Sequence, residues 1–199
     1  CRVDRESSSG SYSPDLSLLD KNLISKVSSS DVVIISDYGK GFVSDDLYSL
    51  VRKNAKFVSV DPKPSRLLQY ESPDLLTPNR MEALELAGKS RLMKEEFPEI
   101  EVVEEIFRKF SPAKLAITLG ADGMLLAEDK EIKKIIPTAA REVFDVSGAG
   151  DTVIAVLSMA LVANGNFEES AQLANLAAGI VVGKVGTATV TTEEIFSLL

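Results

Sequence analysis

Residues 148–151 read Gly-Ala-Gly-Asp, and an apolar helical pattern begins directly after them. Glycine lets a ligand approach the main chain closely, and the start of a helix offers unpaired N–H groups and a partial positive charge to a phosphate. An acid beside such an anion site is well placed to take a proton from a hydroxyl that attacks a phosphoryl group. The run therefore predicts phosphoryl transfer to an alcohol, whereas Asp151 taken alone could simply cap the helix.

A second candidate pair, Asn79 and Glu82, lies where a short predicted strand meets a helix. Asparagine can reach a phosphate oxygen, and glutamate can hold the water shell that Mg²⁺ prefers to keep. The same spacing also fits a capping box, in which the two side chains only close the start of the helix. The Gly-Ala-Gly-Asp run in the same chain favours the functional interpretation of this pair.

Glycine-containing segments end two further predicted elements. Thr118 and Gly120 would let the backbone approach the phosphates or ribose of a nucleotide, whereas Gly123 would shape a plain turn into a hairpin. The segment 184–189 follows an apolar helix, where Gly186 and the hydroxyls could line an adenine pocket or a cation site, or the glycine could only end the helix. These positions are therefore predicted nucleotide contacts with a structural alternative.

Charged residues follow two more predicted strands. Asp37 could bind a substrate hydroxyl, and Lys40 and Lys63 could face an anionic substrate. The alternative is that all three are solvated turn residues. The charge-rich stretch 94–109 is interpreted as a solvated helix face, and no function is assigned to it.

Apolar patterning predicts strands that alternate with helices. The predicted helices cover 16–28, 45–54, 80–87, 95–110, 148–163, 167–185 and 192–199, the last with Thr192 as N-cap. The predicted strands cover 31–36, 56–61, 75–77 and 114–119, and a hairpin covers 124–128 and 131–136. This order implies right-handed crossovers and a mostly parallel sheet with helices on both faces. Ligands bind beyond the carboxyl ends of such strands, which is where every motif above falls.

Composition limits the partners and the chemistry. The chain has 199 residues, of which 45% are hydrophobic, and this length predicts one domain with a sizeable core. Its net charge of −8 argues against non-specific nucleic-acid binding. One cysteine and the lack of a long apolar stretch predict a cytoplasmic protein without a membrane partner. Histidine is absent, so carboxylates, lysines, hydroxyls and backbone amides must do any chemistry.

The first 30 residues are polar and serine-rich, and the chain begins with Cys1 rather than methionine. We expect from this that upstream sequence is missing. The alternative is a tagged or processed start of a complete protein.

Taken together, these motifs resemble the ribokinase-like (PfkB) family of carbohydrate kinases. That family's signature of an acid, two residues and Gly-Ala-Gly-Asp is matched at 145–151, its Asn-x-x-Glu motif at 79–82, and its Thr-x-Gly strand end at 118–120. The resemblance implies a three-layer α/β/α sandwich with a mostly parallel central sheet. The family's N-terminal part, with a Gly-Gly sugar site and a lid, has no match here, so residues 1–199 resemble the C-terminal nucleotide-binding and catalytic portion.

Within the family, the chain most resembles the heptose-7-phosphate kinases, which make heptose 1,7-bisphosphate for lipopolysaccharide core synthesis. The segments that carry this resemblance are 36–41, 61–63, 76–79, 148–154 and 177–187. The bulky residue at Val156 is a further similarity to this branch.

The resemblance also implies roles for individual residues. Asp151 would deprotonate the anomeric hydroxyl of a sugar phosphate, while amides of 148–150 (Gly148, Ala149 and Gly150) stabilise the transferring γ-phosphoryl group of ATP. The ATP and Mg²⁺ site would use Asn79, Glu82, Thr118, Gly120, Gly183 and Gly186. Asp145 and Ser147 resemble ligands of an activating monovalent cation such as K⁺. The full-length protein would be a homodimer.

Two alternatives to a heptose phosphate kinase stay open. One is another kinase of the family that acts on fructose 1-phosphate, ribose or a nucleoside. The other is a nucleotide-binding module without catalysis.

Overall fold

The computed structural model describes residues 12–16, 21–64, 69–89, 97–140, 143–163 and 165–198. The helices are α1 (Lys21–Ser29), α2 (Asp45–Asn54), α3 (Arg80–Leu86), α4 (Glu99–Phe110), α5 (Ala149–Val162), α6 (Phe167–Val182) and α7 (Thr192–Phe196). The strands are β1 (Val33–Ser36), β2 (Val58–Asp61), β3 (Leu75–Leu76), β4 (Lys114–Thr118), β5 (Met124–Glu128) and β6 (Glu131–Ile136).

The six strands form one sheet whose spatial order follows the sequence, from β1 to β6. Strands β1 to β4 are parallel, and β5 and β6 continue the sheet as the predicted antiparallel hairpin. Ser36 at the end of β1 pairs with Asp61 at the end of β2. The carboxyl ends of the parallel strands therefore meet at one edge, as the alternating pattern predicted.

Helices cover both faces of the sheet. Helices α1 to α4 enclose one apolar core around Val58, Val60 and Ile117, which are fully buried. Helices α5 and α6 enclose a second core, where Leu157 and Ala174 pack on the opposite face. The predicted three-layer α/β/α architecture is confirmed, and none of the helices among the described residues is long and apolar enough to span a membrane.

Several predicted boundaries were wrong. The N-cap of α7 is Thr191 rather than Thr192, because the Thr191 hydroxyl accepts from the Glu194 N–H and the Glu194 carboxylate closes a capping box. Helix α6 ends at Val182 instead of continuing to 185, with Gly183 as its C-cap. The predicted helices 16–28 and 95–110 each fall partly on residues outside the described ones. Their described parts form α1 and α4.

Candidate active site

Helix α5 begins at the predicted anion site. Gly148 is its N-cap and has a φ of 82°, a left-handed conformation that favours glycine. The carbonyl of Gly148 accepts the N–H and the hydroxyl of Thr152, each at 2.9 Å. Within the described parts of the chain, the amides of Gly150 and Asp151 have no hydrogen-bond acceptor. A Cβ placed on Gly150 would meet no atom within 4 Å, so a ligand can reach these amides.

Asp151 lies in the first turn of α5 with its side chain exposed, and it is close enough to Asp61 for their charges to interact. Burial, followed by the negative charges of Glu82 and Asp151, raises the pKa of Asp61 to about 7, while Lys63 opposes this shift. Asp61 was not among the predicted site residues. Its position at the carboxyl end of a buried β-branched strand was the signal that could have identified it.

An Asp61→Asn variant is expected to remove a pH dependence of stability. The folded protein holds a proton on Asp61 up to about pH 7, whereas an unfolded chain releases it near pH 4. The wild-type free energy of unfolding should therefore fall as the pH rises from about 4 to 7. Above pH 7 the variant should be more stable than the wild type by about 2–4 kcal/mol.

Urea unfolding at pH 5 and pH 8 measures this difference, with Asp129→Asn as an exposed control. If the free energy of unfolding depended on pH in the same way in the wild type and the Asp61 variant, the pKa of Asp61 would not be raised in the folded protein.

Asn79 and Glu82 form the capping box that their spacing allowed. The Asn79 side chain accepts from the N–H groups of Met81 and Glu82, each at 3.0 Å. The Glu82 Oε2 accepts from the Asn79 N–H at 2.9 Å. Its Oε1 pairs with the Lys63 ammonium at 3.0 Å. The capping interpretation is thus confirmed, and the role of the pair toward ATP and Mg²⁺ stays a prediction.

The segment after β4, which was predicted to contact a nucleotide, lies beside this capping box. Thr118 donates its N–H to the carbonyl of Pro78 at 3.0 Å and forms a parallel bridge with Asn79. Gly120 is exposed with a φ of 66°, and a Cβ there would meet no atom within 4 Å. At Gly123, by contrast, a Cβ would lie 1.9 Å from the carbonyl oxygen of Ile136. Gly120 is therefore open to a ligand, and Gly123 is required by the packing of the hairpin.

Asp37 is anchored inside the protein at the end of β1. Its side chain is only 5% exposed, and its oxygens accept from the Tyr70 hydroxyl at 2.6 Å and the Gly39 N–H at 2.8 Å. Tyr70 in turn packs edge-on against Tyr48, with the ring centroids 5.7 Å apart. This network holds the loop on which Lys40 is exposed. The predicted contact of Asp37 with a substrate hydroxyl stays a prediction.

The segment before α5 is tied to the end of α6. The Ser147 N–H donates to the Asp145 carboxylate at 2.9 Å, and this bond lowers the pKa of Asp145. The Asp145 N–H donates to the carbonyl of Val182. Gly148 faces Thr187, whose methyl group would lie 3.7 Å from a Cβ at that position. The predicted cation and nucleotide segments are thus neighbours of the anion site.

The two glycines after α6 differ in what they require. Gly186 has a φ of 76° and open space around it, so its backbone needs glycine. Gly183 has a φ of −77°, a conformation that other residues adopt readily. Gly186 is accordingly the more distinctive of the two predicted nucleotide contacts.

The fold and the site define a three-layer α/β protein in which a helix begins with two unpaired amides and an exposed acid at the carboxyl edge of a parallel sheet. Residues 5–194 match a family model described as pfkB family carbohydrate kinase, and the chain belongs to that family.

The chain is similar to two curated relatives and to a solved structure. The chain is 41% identical over 201 residues to the bifunctional protein HldE of Sulfurimonas denitrificans, a match covering 98% of this chain and 41% of the relative. It is also 41% identical over 184 residues to the HldE protein of Haemophilus influenzae, covering 88% of this chain and 37% of the relative. The chain therefore spans less than half the length of these relatives.

The structure of Arabidopsis thaliana ribokinase complexed with ribose and ATP shows the same fold. It superposes with a TM-score of 0.76 at 22% identity, covering 90% of this chain and 59% of the ribokinase. The expected ribokinase-like architecture is confirmed by this likeness.

Proposed function

We propose that the full-length protein transfers the γ-phosphoryl group of ATP to the anomeric hydroxyl of heptose 7-phosphate, forming heptose 1,7-bisphosphate and ADP. The observation that carries the proposal is the start of α5, where two unpaired amides and the exposed carboxylate of Asp151 share the first turn. Membership of the carbohydrate kinase family supports phosphoryl transfer to a sugar hydroxyl. We further propose that the protein acts in the cytoplasm as a homodimer.

Each part of the site has a distinct task in this reaction. Asp151 accepts the proton of the acceptor hydroxyl, so that the oxygen can attack the γ-phosphorus as ADP leaves. The amides of Gly150 and Asp151, together with the positive end of the helix, stabilise the charge on the transferring group. The open backbone at Gly120 and Gly186 provides room for the nucleotide.

Magnesium fits this site only through water and phosphate oxygens. Among the described residues, no three acidic or other metal-ligating side chains converge on a common point. Glu82 and Asp151 still bring negative charge near Asp61, whose pKa is raised to about 7 first by burial and then by these charges. A hydrated Mg²⁺ bound to ATP would neutralise phosphate charge beside them. Asp145 and Ser147 are proposed to supply oxygen ligands to K⁺ next to the anion site.

The choice of heptose 7-phosphate rests on the sequence segments that resemble that branch of the family. The 41% identity to proteins named HldE supports the same choice. The exposed Lys40 and the partly exposed Lys63 could face the phosphate of such an acceptor.

Turnover with a panel of acceptors tests this assignment. We expect ADP release by the full-length protein with heptose 7-phosphate at a kcat/KM at least about tenfold above that with fructose 1-phosphate, ribose or a nucleoside, because a tenfold preference requires only about 1.4 kcal/mol of differential binding. Product analysis should place the new phosphate on the anomeric oxygen. Activity with ribose but not with heptose 7-phosphate would show that ribose, and not heptose 7-phosphate, is the acceptor. If no alcohol were phosphorylated, the protein would be a nucleotide-binding module without catalysis.

A further inference from the structure

A pair of buried hydroxyls joins the second strand to the helix that carries Asp151. The hydroxyl oxygens of Ser59 on β2 and Ser158 on α5 lie 2.6 Å apart, and either can be the donor. Both side chains are 0% exposed. Among the described residues, no other polar side chain is as completely buried. The proposed mechanism uses neither serine.

The pair lies directly below the proposed reaction centre. Asp151 and Ser158 are two helical turns apart in α5 and so share one face of the helix. Ser59 and Asp61 are two residues apart in β2 and so share one face of the sheet. The same helix and strand thus meet twice, through the serines at the lower level and through the charges of Asp61 and Asp151 at the carboxyl edge.

The rest of the packing of α5 is apolar and includes no directed polar contact to β2 among the described residues. Val153 and Leu157 of α5 pack into a core with small residues such as Ala171 and Ala174. Apolar burial is non-directional, so it holds the helix through packing alone and not through a directed contact with the sheet. A hydrogen bond of 2.6 Å, by contrast, depends steeply on distance and angle.

We propose that the Ser59–Ser158 hydrogen bond is a positioning device that sets the height of α5 on the sheet and thereby the place of Asp151 relative to the acceptor hydroxyl. This inference rests on the proposed function, in which Asp151 is the general base. A displacement of a catalytic group by about 1 Å can lower a rate by up to about 10²-fold.

The chain offers a matched control. Ser170 on α6 is 2% exposed, and its buried hydroxyl has no hydrogen-bond partner among the described residues. It packs in the same layer of helices but makes no polar link to the sheet. Ser170→Ala therefore removes a buried hydroxyl without removing a positioning contact.

The experiment compares the Ser59→Ala/Ser158→Ala double variant with Ser170→Ala in the full-length protein. The double variant removes both hydroxyls, so it leaves no unpaired group and should unfold at nearly the wild-type urea midpoint. Its kcat should fall about tenfold while its KM for ATP stays within about twofold, because the proposed nucleotide contacts at Asn79, Gly120 and Gly186 lie outside α5. Ser170→Ala should keep the wild-type kcat.

A double variant with wild-type kcat would overturn the proposal. If the double variant does not fold, Ser59→Ala alone, assayed below its unfolding temperature, gives the same comparison, and a wild-type kcat there has the same meaning. Asp151→Asn distinguishes a failure of the proposed function from a failure of the positioning role. Full activity in that variant defeats the proposed function, whereas an inactive Asp151→Asn protein beside a fully active double variant defeats only the positioning role.

Discussion

Asp151→Asn in the full-length protein should lower kcat by about 10²–10⁴-fold, the usual contribution of a general base. Asparagine keeps the size of the side chain and is accepted in the first turn of a helix, but its amide cannot take a proton from the acceptor hydroxyl. The amides at the start of α5 remain in place, so the KM for ATP should change by no more than a few-fold. Steady-state ADP release at varied ATP and acceptor concentrations measures both constants.

Asp46→Asn provides the matched control for this variant. Asp46 is also an exposed acid in the first turn of a helix, but it belongs to α2. Its substitution should leave kcat unchanged. If the Asp151 and Asp46 variants had equal kcat values, Asp151 would not be the general base.

Gly123→Ala should destabilise the protein by about 3–5 kcal/mol. This loss is the sum of the cost of a strained backbone and the cost of overpacking. Gly123 has a φ of 94°, and its new methyl group would lie 1.9 Å from the carbonyl oxygen of Ile136 and 2.8 Å from the nitrogen of Thr138. These are backbone atoms, so the turn into the β5–β6 hairpin must shift as a whole. The midpoint of urea unfolding and the soluble yield report the loss.

Gly120→Ala separates backbone strain from crowding in the same loop. Gly120 also has a positive φ, but its Cβ would meet no atom within 4 Å. We expect a loss of only about 1–2 kcal/mol, from the left-handed conformation alone. If the two variants unfolded at the same midpoint, the close approach at Gly123 would not exist in the folded protein.

The layer structure of this protein could be predicted because each strand and helix has a local signature. The β-branched run ending at Ser36 and the apolar run before Asp61 predicted parallel strands, and both became β1 and β2 with paired ends. The polar residues that follow them were predicted to gather at one edge because parallel strands share their direction. Periodicity was sufficient for these conclusions.

The interior polar contacts could not be predicted in the same way. Tyr70 and Asp37 are joined across 33 positions of sequence, and Ser59 and Ser158 across 99. No local pattern indicates which distant hydroxyl will face which acid once the sheet has formed. The pKa of Asp61 depends likewise on burial and on charges brought in by three other elements. Its identity was visible in the sequence, but its environment was not.

The spatial order of the six strands among the described residues is also the order in which they are synthesised, and the helix that carries Asp151 follows them in the chain. A nascent chain that has left the ribosome only as far as residue 140 contains these six strands, together with Asn79, Glu82 and Thr118. It still lacks the acid, the anion site and the partner of Ser59. The residues assigned to nucleotide binding at the start of α3 and the end of β4 are therefore complete during translation well before the group that would catalyse the reaction exists.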